Sequence, residues 1–305
     1  MALYSLFRSV RSELGKVCLA QHQSLYTSCP SLAADKALLL KLRKSTGYTF
    51  INCKKALEKF NNDITQAESW LHEQAQKEGW SKASKLEGRK AKEGLIGIMM
   101  ADKSAVMVEV NCETDFVARN EKFQQLVKDV ALSVMAHHSG QRQTGYIKSV
   151  LSSEDIAKIH LPDGPSLADQ LALTIGRLGE NIGMRRAVSL GIPSDWHFGS
   201  YVHGAVPGQV GMEMGRYGAL VVFQGGPKEG KETLGRKLGQ HIVGEAPVTL
   251  GNVDDIPCGD SETRLLPQTF LPDSKYTVAQ YLTLHDARVQ DFIRFKCGES
   301  IGQEE

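Results

Sequence analysis

The hydrophobic period of this chain changes at Gly94, and that change limits what the chain can fold into. Before Gly94 the apolar residues recur every three or four positions, the spacing that places side chains on one helix face. From Gly94 two apolar runs, GLIGIMMA and SAVMVEVNC, are joined by Asp102-Lys103, which is the pattern of a β-hairpin. A helical segment followed by segments that contain strands predicts an α+β fold.

Residues 36–80 are predicted to form a module of three short helices. The helical runs are KALLLKLRKS, FINCKKALEKF and ITQAESWLHEQAQKEG, and Asp63 is the expected N-cap of the third. A segment this short lies near the lower size limit for an independent core, so we expect a small bundle or a docking module. The apolar stripe of the second helix is expected to comprise Ile51, Ala56, Leu57 and Phe60.

The next residues, 81–93, are rich in charge. They carry Lys82, Lys85, Arg89, Lys90 and Lys92 together with Glu87 and Glu93. A solvated linker helix is the expectation and a nucleic-acid stripe is the alternative, because the Glu residues interrupt the basic run and no aromatic side chain stands within it. Across the whole chain 36 Lys and Arg nearly balance 35 Asp and Glu, so we expect no nucleic-acid partner.

The chain after Gly94 divides into two similar parts, residues 94–193 and 194–305. Each part runs in the order strand, strand, helix, helix, strand, and Pro193-Ser194 is a natural boundary between them. This weak internal repeat predicts two similar α+β subdomains with antiparallel sheets.

Residues 1–35 differ from the rest of the chain. On a helix Leu3, Leu6, Phe7, Val10 and Leu14 share one face opposite Arg8 and Arg11, and the segment has several Ser and Thr and few acids. This composition is typical of a mitochondrial transit peptide, which would be cut before Lys36 and would place the protein in the mitochondrial matrix. A frayed native N-terminus is the alternative. No apolar run approaches about 18 residues, so no membrane span is expected.

The chain offers no constellation typical of covalent catalysis. Residues 225–232 nearly match a phosphate loop, but Glu232 stands where a Ser or Thr must hold Mg²⁺, so we expect no direct nucleotide binding. The six cysteines form no CxxC pair, and no His stands at zinc-ligand spacing from them. No nucleophile is paired with a base. We therefore expect a protein that is not an enzyme and that needs neither a cofactor nor a metal.

The most informative stretch is NCETDFVARN, residues 111–120. An apolar strand ends at Cys112 and a helix is predicted to start near Asn120, which leaves a polar turn between them. Phe116 is the one large apolar side chain in that turn. It could staple the helix to the core of its own chain, or it could be an exposed aromatic that enters a pocket of a partner. The residues themselves leave both interpretations open.

Three groups of residues resemble translation elongation factor Ts. TGYTFINCKKAL (46–57), followed by Asn62-Asp63-Ile64, is similar to the N-terminal module of that family, a ubiquitin-associated-like three-helix bundle. VEVNCETDFVARN (108–120) is similar to its signature strand and turn. The resemblance covers residues 36–300, and the basic N-terminal segment points to the mitochondrial form. Further segments that resemble the family core are GENI (179–182), SYVHG (200–204) and FIRFKCGE (292–299).

What this resemblance implies is a guanine-nucleotide exchange factor for mitochondrial elongation factor Tu, a GTPase. In the family an Asp-Phe pair wedges beside the nucleotide pocket of the GTPase and displaces the helix that supports Mg²⁺, and a histidine contact disturbs the phosphate loop. Matched residue by residue, the pair falls on Asp115 and Phe116, and the histidine on His203. The N-terminal contacts of the family fall on Phe50, Ile51 and Lys54, and the bacterial sequence has a Met pair in place of the first two.

One departure from the family bears on stoichiometry. Bacterial members insert a long helical hairpin late in the second half, whereas here residues 248–264, which contain Gly, Pro and acids, occupy that interval. A segment of this length cannot form a useful coiled coil, which predicts a one-to-one complex with the GTPase. An RNA- or ribosome-binding protein that uses the basic residues 82–92 is the alternative function.

Overall fold

A computed structural model of the chain describes residues 34–46, 48–86, 88–139, 145–161, 164–207 and 210–300. The expected transit peptide lies outside these residues except for its last two positions. The helices of the described residues are α1 Lys36–Thr46, α2 Phe50–Lys59, α3 Ile64–Leu86, α4 Asp115–Ala118, α5 Glu121–Ser139, α6 Ser153–Lys158, α7 Leu167–Leu178, α8 Lys231–Glu245 and α9 Val278–Leu284. The strands are β1 Glu93–Ala101, β2 Ser104–Cys112, β3 Ile147–Ser152, β4 Ile182–Gly191, β5 Trp196–His203, β6 Glu213–Gly215, β7 Tyr217–Gly225 and β8 Ala287–Lys296.

The α+β class is confirmed, and α1, α2 and α3 form the N-terminal three-helix module. The expected N-cap is present, because the backbone N–H of Gln66 donates to the carboxylate of Asp63 at 3.0 Å. Ile51 was expected in the apolar stripe of α2, and this is wrong, since its side chain is 64% exposed. The module packs instead around a fully buried set that includes Leu42, Cys53, Ala56, Leu57 and Ala67.

The third helix is longer than its sequence pattern suggests. It runs without a break across residue 80 to Leu86, so the predicted module and the first half of the predicted linker share one helix. The linker helix expected over residues 81–93 is wrong beyond Leu86, because a turn follows and β1 begins at Glu93. Ala83 and Leu86 explain the extension, since both pack against the core of the neighbouring sheet.

The module docks on α7 through a close approach of two helix backbones. A Cβ atom added to Gly79 would lie 2.5 Å from the carbonyl oxygen of Ala172, and one added to Gly176 would lie 3.0 Å from that of Ala75. Leu173 of α7 completes the buried core of the module. Small residues on both helices therefore allow the module and the rest of the chain to share one apolar interface.

The strands form two antiparallel sheets, as predicted. The larger sheet has the order β3-β4-β2-β1-β6 and the smaller one β5-β7-β8. Two strands depart from the predicted repeat. The edge strand β3 was not predicted, because its alternating, half-exposed residues give a weak apolar signal. The short strand β6 belongs to the second part of the sequence but pairs with β1 of the first.

The two sheets pack face to face, with helices on their outer faces. Alternate residues of β7 show this arrangement: Leu220 and Val222 pack between the sheets, whereas Val221 and Phe223 pack toward α8 and α9. On the larger sheet Ile96 and Met107 face the smaller sheet, and other residues of β1 and β2 face α5. The order of layers is therefore helices, five strands, three strands, helices. Among the described residues, no helix combines the length and apolarity needed to cross a bilayer.

A buried carboxylate closes one end of the contact between the sheets. Glu109 of β2 is fully buried, and its oxygens lie 2.6 Å from Nε of Arg186 and 3.4 Å from Nη1 of Arg185. It also accepts the backbone N–H of Gly298 at 2.8 Å, which ties the turn after β8 to the larger sheet. Arg186 extends the network to Glu299 at 2.9 Å. Inside the protein, two arginines thus balance the charge of Glu109, and its oxygens have hydrogen-bond donors.

Glu109→Gln is expected to lower the free energy of unfolding by about 3 kcal/mol, because it removes the negative charge that compensates two arginines. Urea unfolding followed by circular dichroism measures this change. Glu229→Gln, at an exposed glutamate, is the matched control and should be nearly neutral. A loss below about 1 kcal/mol in the Glu109 variant would show that the buried charge is dispensable.

Gly79→Ala is expected to loosen the docking of the N-terminal module, because the new methyl group would overlap the carbonyl oxygen of Ala172. Overpacking of this kind costs about 1–3 kcal/mol. Hydrogen exchange should then accelerate in α1 and α2 more than in β1 and β2. Gly88→Ala is the control, since nothing lies within 4 Å of a Cβ atom at that position. Equal exchange in both variants would contradict the close-packed interface.

Candidate functional site

The polar turn after β2 contains a short helix that the sequence pattern did not predict. Thr114 is its N-cap, and its Oγ1 accepts the backbone N–H of Val117 at 3.3 Å. Helix α5 then begins at Glu121, which agrees with the start expected near Asn120. A threonine directly before an acidic residue is an N-cap signal, so α4 could have been found from Thr114-Asp115.

Phe116 projects from this short helix into solvent. Its side chain is 81% exposed, so the interpretation of Phe116 as a core staple is wrong. The core beneath the turn is filled by Ala118 and by the fully buried Phe123 of α5. The neighbouring Asp115 is half-buried, and its carboxylate lies 3.0 Å from Nη2 of Arg119. The turn therefore presents an aromatic ring and a carboxylate side by side at the surface.

Asp115 and Arg119 line a cleft of about 640 Å³. Residues 204–207, which follow β5, and Arg216 line the same cleft. Since β5 ends at His203, the structure brings the turn after β2 and the segment after β5 to one place. The imidazole of His203 is exposed and packs edge-on against Tyr217, with 5.9 Å between ring centroids. Asp115 and the segment that follows His203 thus line one cleft although they are far apart in sequence, whereas His203 itself lines a separate cleft with Tyr201 and Tyr217.

The remaining predicted residues form a second surface on α2. Phe50 and Ile51 are 49% and 64% exposed, and Lys54 lies one helical turn later on the same side. The ammonium of Lys54 is 3.7 Å from the carboxylate of Glu58, an exposed pair that leaves its charge accessible. None of these three residues lines the cleft beside Asp115. The structure therefore does not bring the six predicted residues to one site. Asp115 lines one cleft, His203 lines another, and Phe50, Ile51 and Lys54 lie on α2.

The near-match to a phosphate loop forms an ordinary connection between β7 and α8. The backbone N–H of Gly226 donates to the carbonyl oxygen of Asp286 at 2.8 Å, and Nζ of Lys231 lies 2.8 Å from Nε2 of His197. Burial and the nearby Lys231 lower the pKa of His197.

Among the described residues, no group of three His, Cys, Asp or Glu side chains is placed to hold a metal ion. Within residues 248–264 the helical structure is a single short 3₁₀ turn, Gly259–Ser261.

Comparison with known proteins defines the family. A family model described as the N-terminal part of mitochondrial elongation factor Ts matches residues 22–81, and one described as elongation factor TS matches residues 113–259. Mitochondrial elongation factor Ts of Salmo salar is 73% identical over 303 residues, which cover 98% of each chain. The protein of that name from Rattus norvegicus is 53% identical over 280 residues, 89% of this chain and 86% of its own. That of Homo sapiens is 51% identical over 276 residues, 88% and 84% respectively.

These matches identify a translation elongation factor. The chain belongs to the elongation factor Ts family, and the resemblance inferred from the motif segments is confirmed. The relatives are named as mitochondrial proteins, and the mitochondrial location expected from the N-terminal composition is confirmed.

Phe116→Ala is expected to leave the free energy of unfolding within about 0.5 kcal/mol of the original, because an exposed ring contributes little to the fold. Phe123→Ala is the matched comparison, and loss of its fully buried ring should cost about 3–5 kcal/mol. Thermal or urea unfolding of the two variants distinguishes them. A large loss of stability in Phe116→Ala would mean that this ring packs against the core of its own chain.

Proposed function

We propose that this protein is a guanine-nucleotide exchange factor for mitochondrial elongation factor Tu, acting in a complex of one copy of each protein. Membership of the elongation factor Ts family supports the choice of partner. The observation that carries the proposal is the exposed ring of Phe116 beside the carboxylate of Asp115, on a turn held by the core of the protein. We call this pair the wedge.

The wedge acts by entering the GTPase beside its nucleotide pocket and displacing the helix that supports Mg²⁺. Burying the exposed ring of Phe116 in the partner contributes about 1.5–3 kcal/mol. That energy shifts the GTPase only if the contact exists in one of its two states and not in the other. By reciprocity, the factor lowers the affinity for GDP to the same extent that GDP lowers the affinity for the factor.

The other predicted residues have separate roles. His203, at the end of β5 and directly before the residues that line the cleft beside Asp115, contacts the phosphate loop of the GTPase and assists the wedge. Phe50, Ile51 and Lys54 form an anchoring surface, because two exposed apolar side chains and one ammonium suit a partner patch of apolar and acidic residues. The exposure of Phe50 and Ile51 on α2, away from the cleft beside Asp115, supports this division.

Exchange of this kind needs no covalent step. The factor changes the relative stability of two states of its partner, so it requires no nucleophile, cofactor or metal of its own. It also needs no nucleotide site, and we propose that residues 225–232 bind none. A direct titration with GDP tests this point, and saturable binding at micromolar concentration would contradict it.

Release of a fluorescent GDP analogue from mitochondrial elongation factor Tu measures the activity. The protein should accelerate release, and Asp115→Ala combined with Phe116→Ala should lower the maximal rate at least about tenfold, the effect of losing about 1.4 kcal/mol. His203→Ala should lower it less, because one contact of several is lost. Sedimentation of the nucleotide-free complex should give the mass of one copy of each protein.

The anchoring surface is tested by combining Phe50→Ala, Ile51→Ala and Lys54→Ala. A higher concentration of this variant should be needed to reach half of the maximal rate of GDP release, but the maximal rate should be unchanged. The substitutions remove binding energy that is the same in both states of the GTPase and leave the wedge intact. Leu40→Ala, at an exposed leucine of α1, is the matched control. A reduced maximum in the triple variant would contradict the separation of anchor and wedge.

A well-folded protein without any effect on GDP release would contradict the exchange function, and salt-dependent RNA binding would then be tested.

A further inference from the structure

Two pairs of neighbouring residues, Glu113-Thr114 and Glu180-Asn181, hold one another through reciprocal hydrogen bonds. One oxygen of Glu180 accepts the backbone N–H of Thr114 at 3.1 Å, and the other accepts the hydroxyl of Thr114 at 2.6 Å. In return, Glu113 accepts the backbone N–H of Asn181 at 2.7 Å. We call these four residues the clasp. Both carboxylate oxygens of Glu180 are engaged by a single residue of the turn that carries the wedge.

The hydroxyl of Thr114 links Glu180 to the short helix that presents Phe116. Its oxygen accepts the backbone N–H of Val117 at 3.3 Å while its proton is donated to Glu180. A charged acceptor fixes the rotation of this hydroxyl, and the hydroxyl fixes the start of α4. Since Asp115 and Phe116 are the first two residues of α4, the direction in which they project depends on this chain of bonds.

The clasp is fixed from the opposite side by a rigid element. Gly179 ends α7 in the left-handed conformation, with φ of 76°, so Glu180 follows directly from a helix that packs on the N-terminal module. Asn181 also donates from its side chain to the carbonyl oxygen of Arg89 at 2.7 Å, and the guanidinium of Arg89 lies 3.2 Å from Glu113. The clasp thus joins the wedge turn to α7 and to the segment before β1.

Apolar packing anchors the second half of α4, since Ala118 is buried in the core and Val117 packs against it, but it does not hold Asp115 and Phe116. Phe116 is 81% exposed and makes no use of the core, while α4 is only one turn long. A single turn has little stability of its own, so the polar bonds at its N-terminus help to fix its first two residues.

We propose that Glu180 is a positioning residue of the exchange reaction, which holds the wedge in the geometry that enters the GTPase. This inference rests on the function proposed above and extends it to a residue outside the wedge and outside the anchoring surface. Glu180 acts through Thr114. Without Glu180, Asp115 and Phe116 are still present but are no longer held in the orientation that enters the GTPase.

The test compares Glu180→Ala, Thr114→Val and Thr114→Ser in the fluorescent GDP release assay, with Glu154→Ala at an exposed glutamate of α6 as control. Glu180→Ala and Thr114→Val should each lower the maximal exchange rate about fivefold or more, a typical size for coupling between sites. The concentration for half-maximal rate should change less than about twofold, because the anchoring surface on α2 is intact. Thr114→Ser keeps the hydroxyl and should retain the original rate.

A double-mutant comparison separates positioning from general loss of structure. Added to Asp115→Ala and Phe116→Ala, the change Glu180→Ala should cause no further loss, because the residues that it positions are already absent. A further loss of similar size in that background, or a full maximal rate in Glu180→Ala, overturns the inference. If Glu180→Ala does not unfold cooperatively, Thr114→Val carries the same comparison. If the protein without substitutions does not accelerate GDP release from the GTPase, the exchange function itself is contradicted, which distinguishes the two failures.

Discussion

The structure depends on the face-to-face contact of its two sheets. Because this contact covers the inner faces and helices cover the outer ones, the central strands are buried on both sides. This explains why β1, β2 and β7 are continuous apolar runs rather than strict alternations of apolar and polar residues. Gly218 marks how closely the sheets approach, since a Cβ atom there would lie 2.8 Å from Ile96. Glu109 occupies one end of the same layer, where water is excluded, and therefore requires its two arginines.

The same contact places the candidate site. After β5 the chain leaves the smaller sheet and forms β6, which pairs with β1 of the larger sheet, and this crossing carries the segment after His203 toward the turn after β2. The backbone N–H of Arg216 donates to the carbonyl oxygen of His203, and its guanidinium pairs with Glu93 at the start of β1. Two segments from different halves of the sequence therefore meet at one cleft. Residues from both halves of the sequence line this cleft, so neither half forms it alone.

How much could be predicted from the sequence depended on whether local pattern or distant contact decided each feature. The helices α5, α7 and α8 have apolar periodicity and the strands β1, β2 and β7 are continuous apolar runs, and these elements were predicted. The crossing strand β6 and the edge strand β3 were missed, because their pairing partners and not their own residues make them strands. The extent of α3 was underestimated for a related reason: the charged residues after residue 80 suggested a separate linker, while Ala83 and Leu86 join the helix to a distant core.

The candidate site shows the same limit at the level of single residues. Local pattern alone left Phe116 between core and surface, because a large apolar side chain in a polar turn is consistent with either. The deciding information is that Phe123 already fills the space beneath the turn. Similarly, no spacing rule could join Thr114 to Glu180, since 66 residues separate them and only the packing of β4 beside β2 brings them together.

An exchange factor that acts through the proposed wedge must satisfy two opposing requirements. Its wedge has to be exposed before binding, which forgoes about 1.5–3 kcal/mol of burial that the free protein could otherwise gain. It also has to be rigid, because a mobile aromatic side chain would spend part of its binding energy on becoming ordered in the complex. An exposed ring cannot be held by apolar packing, so the remaining means are backbone conformation and polar bonds. A one-turn helix with a threonine cap, itself held by a carboxylate from the end of α7, meets both requirements, since it directs Phe116 without covering it.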